Sequence, residues 1–191
     1  QNSNYLLETV RSRSIKLTLQ PYTAEEMIKG VQGRSGQPKA GFSHILAYAG
    51  NNIGKAIELS GDAEFAELRD KLLRAMPSLF MDNHYGMYEM VRLFEEQKNN
   101  VAVLLDCMLS VFRDLILMKN GCEKLLQNTD YEDQLVGLEQ KAQMGSCVAL
   151  AGDIVKTKEM LSRNVNYNLL VTALINGCWE VLHGRDSWSV F

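Results

Sequence analysis

The basic residues of the N-terminal portion are the ones that could meet a phosphate, and two closely spaced arginines stand out among them. Arg11 and Arg13 stand two apart in "TVRSRS", bracketed by small polar residues. A guanidinium stays charged and presents a rigid fork of donors that matches phosphate oxygens. Lys55 lies in "GNNIGKA", Gly50 to Ala56, the one stretch that invites comparison with a nucleotide-binding loop. It does not qualify. Three residues separate its glycines where a P-loop has four to wrap backbone N–H groups round a phosphate, and Ala56 lacks the hydroxyl that holds magnesium. Asn51 or Asn52 capping a helix after a glycine turn fits the stretch better.

Other chemistry is scarce. Cys107, Cys122, Cys147 and Cys178 are widely separated, form no CxxC pair and sit in apolar helical patterns, so they read as buried free thiols rather than disulfides or metal ligands. His44, His84 and His183 are equally scattered, and Asp130, Glu132 and Asp133 read as a solvated helix start. No nucleophile, base and orienting group fall together. Neither catalysis within this chain nor a metal or cofactor is expected.

Charge is unevenly placed. Residues 1–55 carry seven Lys/Arg against three Asp/Glu, a balance of +4, and residues 56–191 carry thirteen against twenty, a balance of −7. The basic end is therefore the end that would face phosphate, if either does. With 46% hydrophobic and 23% charged residues the composition is that of a globular protein. No run approaches the roughly 18 apolar residues that span a bilayer, and no signal-peptide pattern opens the chain, which predicts a cytoplasmic protein without a membrane partner.

The elements that would position these residues are mostly helical. Ile15 to Leu19 alternates apolar and polar like a half-buried strand, with no convincing partner strand elsewhere. This predicts a chain that is the C-terminal part of a larger protein, carrying the last strand of an absent domain. "YTAEEM" offers Thr23 and Glu26 as a capping box that starts a helix running to about Val31. Short helices follow over "FSHILAYA" and "NNIGKAIELS", then one over "AEFAELRDKLLRAM" that Pro77 is expected to end. Beyond it, apolar stripes predict core helices over "YGMYEMVRLFEEQ" and "VAVLLDCMLSVFRDLILMKNG", the latter closing at Gly121. A long helical segment from about Tyr131 to Ser162 and a last helix ending near Gly184 complete the pattern. Those stripes read as core or subunit contact rather than as a cofactor site.

Taken in order, four segments resemble one family, the clamp-loader subunits of bacterial DNA polymerase III, of the AAA+ ATPase class. "TVRSRS" resembles the Ser-Arg-Cys element that ends their ATPase domain, and "AYAGNNIGKAIELS" resembles the lid segment that follows. "VFRDLILMKNG" and "SRNVNYNLLVTALI" are similar to helices of their collar domain. The resemblance runs from Leu6 to about Leu182. It implies an all-α fold: residues 1–19 as a remnant of the ATPase domain with its β-strand, 20–76 as a helical lid, and 78–191 as a helical-bundle collar for oligomerisation.

The resemblance also implies roles. Arg13 takes the place of the arginine finger that reaches ATP on a neighbouring subunit, with Ser14 where the family has Cys. In hydrolysing relatives the lid carries a sensor arginine in a Gly-Ser-Met-Arg-Asp-Ala pattern; aligned on Ala56, Gly54 stands in its place and Lys55 follows. That departure implies a subunit that hydrolyses nothing itself, rather than a gamma/tau-type subunit. The implied partners are gamma/tau and delta through the collar, and the sliding clamp and primer-template DNA through the assembled complex. A helical DNA-binding regulator is the rival reading. It is disfavoured because Phe42 to Leu59 holds only Lys55 and Glu58 as full charges.

Overall fold

The computed structural model describes residues 7, 9, 12–15, 20, 22–35, 42–50, 52–161, 163 and 165–185. Among them the structure is all-helical, without a strand. Of the strand expected over residues 15–19 only Ile15 is described, and the rest lies outside the described residues.

Three short helices precede the larger bundle: α1 (Ala24–Ser35), α2 (Phe42–Ala49) and α3 (Ile53–Gly61). The expected capping box starts α1. The Thr23 N–H donates to the Glu26 carboxylate at 2.8 Å, and the Glu26 N–H returns to Thr23 Oγ1 at 3.3 Å. Asn52 caps α3 by accepting the Lys55 N–H at 3.1 Å. The three helices close on a small core of Met27, Val31, Ala49 and Ala56, with Ile45, Leu46, Ile53 and Ile57 packed round it.

The larger core belongs to α4 (Ala63–Leu79), α5 (His84–Glu96), α6 (Val101–Lys119), α7 (Glu132–Glu139), α8 (Met144–Leu161) and α9 (Tyr167–Leu182). Five of these form a closed ring in which α4 packs on α5, α5 on α9, α9 on α8, α8 on α6, and α6 back on α4. Most of the stripes read from the sequence point into that ring, although Val148, read on the stripe of the segment from Tyr131 to Ser162, is exposed. Leu72, Met76, Met90, Phe94, Leu104, Met108, Phe112, Ile154 and Ile175 are all buried. Asp62, Asn83 and Asn166 cap α4, α5 and α9 with side-chain acceptors. After α6, Gly121 takes the left-handed conformation (φ 68°). Its N–H donates to Met118 O and that of Cys122 to Leu117 O, a Schellman turn.

Two expectations are corrected here. Pro77 does not end its helix; α4 continues to Leu79. A proline denies the carbonyl four residues back its usual donor, and that carbonyl, Leu73 O, instead accepts from Gln134 Nε2 of α7. The segment from Tyr131 to Ser162 is not continuous either, because α7 stops at Glu139 and α8 begins at Met144. Lys119 of α6 donates to Glu139 O at 2.9 Å and to its carboxylate at 2.8 Å, satisfying the end of α7 from outside.

Candidate functional site

Arg13 lies in a turn with Ser12, upstream of α1, and is exposed. Gly54 and Lys55 are exposed in the first turn of α3. A Cβ on Gly54 would approach the capping Oδ1 of Asn52 to 3.2 Å, so this turn is shaped by its cap. Arg13, Gly54 and Lys55 are thus solvent-facing, on two separate segments, and Arg11 lies outside the described residues.

The concentrated polar chemistry sits elsewhere, where α2, α4 and α6 meet the loop before α7. Arg69 of α4 is 4% exposed. Its guanidinium grips Asp130 through two bonds of 2.7 and 2.8 Å and donates a third, at 2.7 Å, to Asn128 Oδ1. Burial opposes charge on both partners, yet each holds the other ionised: the Asp130 carboxyl is pulled below the usual aspartate range and Arg69 is pushed up. Asn128 and Asp114 are fully buried. The Asp114 carboxylate accepts the Gln127 N–H at 3.0 Å, the Asn128 N–H at 2.8 Å and Asn128 Nδ2 at 2.9 Å, which fixes the loop on α6.

From this loop the network reaches α2. Ser43 Oγ donates to Gln127 O at 2.8 Å, and Tyr48 OH pairs with Ser110 Oγ of α6 at 2.8 Å. Tyr48 also meets Phe65 edge-on, with ring centroids 5.3 Å apart. Burial drives the Tyr48 hydroxyl well above the usual tyrosine range and pushes the neighbouring Cys107 thiol up to about 11. Neither group ionises near neutrality, so the assembly positions elements rather than moving protons.

Sequence reasoning missed this cluster and read Asp130 as part of a solvated helix start. Asp130, Glu132 and Asp133 are all exposed at the helix start as read, but the Asp130 carboxylate is also committed to Arg69. A signal was present, since Arg69 and Asp114 fall on the apolar stripes of their helices, between Leu68 and Leu72 and beside Val111 and Leu115. A charge on such a stripe needs a partner. The thiols follow expectation at Cys107, Cys147 and Cys178, which are free and buried; Cys122 differs, lying half-buried in the turn after α6.

Comparison with known proteins places this architecture. The family described as DNA polymerase III, delta subunit, C terminal, matches residues 63–178, from the first turn of α4 into α9. The chain belongs to that family. A relative from Bacillus subtilis (strain 168), DNA polymerase III subunit delta prime, is 26% identical over 176 residues, covering 89% of this chain and 52% of the relative. The chain thus spans about half the length of that relative, and its likeness is to a delta prime subunit, C-terminal part.

Proposed function

We propose that the chain is the lid and collar of a delta prime-type clamp-loader subunit, with the bounds read from sequence, 20–76 and 78–191, moved so that α4, whose buried leucines join the larger core, goes with the collar. In this reading it joins gamma/tau and delta, helps place the sliding clamp on primed DNA in the cytoplasm, and hydrolyses no ATP itself. The observation that carries it is a likeness to delta prime extending over 89% of the chain. Gly54, exposed at the position where hydrolysing relatives carry a sensor arginine, supports the non-hydrolysing role and disfavours a gamma/tau-type subunit.

Arg13 would act in trans on ATP held by the neighbouring subunit. Its exposure is compatible with that role, and an arginine finger accelerates phosphoryl transfer by roughly 10³ to 10⁵. Substituting Arg13→Ala in the full-length protein is expected to leave assembly intact. Single-turnover hydrolysis at the interface it completes should fall by that factor, about 4 to 7 kcal/mol. Arg13→Lys should rescue poorly, since an ammonium lacks the planar fork. Wild-type turnover at that interface in the assembled Arg13→Ala complex would remove the role.

A further inference from the structure

The chain passes from α3 to α4 through one residue. Asp62, with extended dihedrals (φ −83°, ψ 100°), closes α3 by donating its N–H to Leu59 O. It opens α4 by accepting the Phe65 N–H at 2.9 Å. Gly61 before it is exposed, with nothing within 4 Å of where a Cβ would stand. Beside this elbow lies a cleft of about 390 Å³ between the two sets of helices, lined by Leu59 and Ser60 on one side and by Phe65, Arg69 and Tyr131 on the other. A single-residue joint beside open volume allows rotation with a change in few dihedrals.

What opposes rotation starts from α2. Ser43 Oγ donates to Gln127 O at 2.8 Å and lies 3.1 Å from Thr129 Oγ1; Tyr48 OH meets Ser110 Oγ at 2.8 Å. The receiving side is rigid, because Asp114, Asn128 and Arg69 fix the 127–130 loop to α4 and α6. Of the three small-core helices, α1 and α3 pack on each other, and α2 packs on α3. The receiving loop is built on buried charge, whereas α2 is held by two hydroxyl bonds, individually weak, beside ring contacts of His44 and Tyr48 with Phe65 and the influence of His44 on Asp130.

We infer that α1–α3 form a hinged unit that turns about Asp62 and is held in the observed position by a two-hydroxyl latch, Ser43 and Tyr48 of α2, on the loop and helix of the bundle. The latch selects one position of the unit without welding it. This stands on geometry alone and does not depend on the clamp-loader reading.

Spin labels on Glu58→Cys of α3 and Glu132→Cys of α7, in a Cys122→Ser background, would measure the angle of the unit. The parent chain is expected to give one narrow distance distribution, and Ser43→Ala with Tyr48→Phe a broadened or second one at unchanged helical circular dichroism. A parent distribution already broad, or a variant distribution still narrow, would overturn the inference. Should the double variant lose helical signal, Tyr48→Phe alone serves, since it keeps the ring on Phe65. There, amide exchange in α2 and α3 should quicken about fivefold for one hydroxyl bond removed, with α5 and α9 unchanged. Equal change throughout the chain, or none, would overturn it as well.

Discussion

A buried guanidinium is only as stable as its partner, and among the described residues Arg69 is ion-paired with one carboxylate, Asp130. Asp130→Ala leaves that charge buried and should lower unfolding free energy by about 3 kcal/mol, the lower end for breaking a buried pair because Asp130 keeps some contact with water. Arg69→Met should cost less, since the abandoned carboxylate can turn to solvent; urea titration of both variants would rank them. The pH dependence has a fixed sign. A carboxyl whose folded pKa lies below its unfolded value, ordinarily about 3.9, contributes stability above that value and loses it as pH falls through the lowered one. The parent chain should therefore lose stability on acidification below about pH 4, and Asp130→Asn should show a flatter profile there. Thiol chemistry offers a second check: Cys122 should react with a disulfide reagent in the native state, while Cys107, Cys147 and Cys178 wait for unfolding. At this scale the sequence disclosed what is local. The Thr23 and Glu26 box and the Asn52 cap were legible because both partners lie within three residues. The Arg69 and Asp130 pair, 61 positions apart, was not.

Where α4 crosses α5, one glycine decides the distance. A Cβ on Gly86 would fall 2.1 Å from Ser78 O and 2.4 Å from Ser78 C, backbone atoms that cannot step aside without moving α4. Gly86→Ala should destabilise by at least the 1 to 3 kcal/mol typical of overpacking. Gly152→Ala in α8 is the control, because nothing lies within 4 Å of its Cβ; there the helix should gain about 0.5 to 1 kcal/mol. Thermal melts of the two variants should move in opposite directions, and a shift of the same sign would discredit the crossing. Periodicity and caps made most helices legible. The two misread boundaries share a cause. At Pro77 the helix continues because Gln134 takes the orphaned Leu73 carbonyl, and between α7 and α8 it stops because Lys119 takes the Glu139 carbonyl. Each outcome was set by a side chain from another helix, which no local pattern contains.

Over the whole molecule, amphipathic stripes establish that helices bury their apolar faces but not the order in which they close a ring. The helix-rich composition and the core residues were legible, whereas the ring sequence α4, α5, α9, α8, α6 and the polar junction with α2 needed three dimensions. One face of that ring bears on the proposed collar. The outward side of α8 exposes Val148 (52%) and Val155 (43%), with Gly145 and Gly152 at helical spacing between and beside them. Residues 144–152 carry no charge at all. If the collar meets neighbouring loader subunits, this smooth apolar face is where a partner helix could approach closely. Charges placed there test the idea without touching the core. Val148→Glu with Val155→Lys should leave melting within about 0.5 kcal/mol of the parent, as surface changes do. In the full-length protein the same pair should abolish co-purification with gamma/tau and delta, because an interface core depleted of charge cannot bury two new ones. Unchanged melting with unchanged assembly would mean that the proposed collar joins its neighbours through a different face.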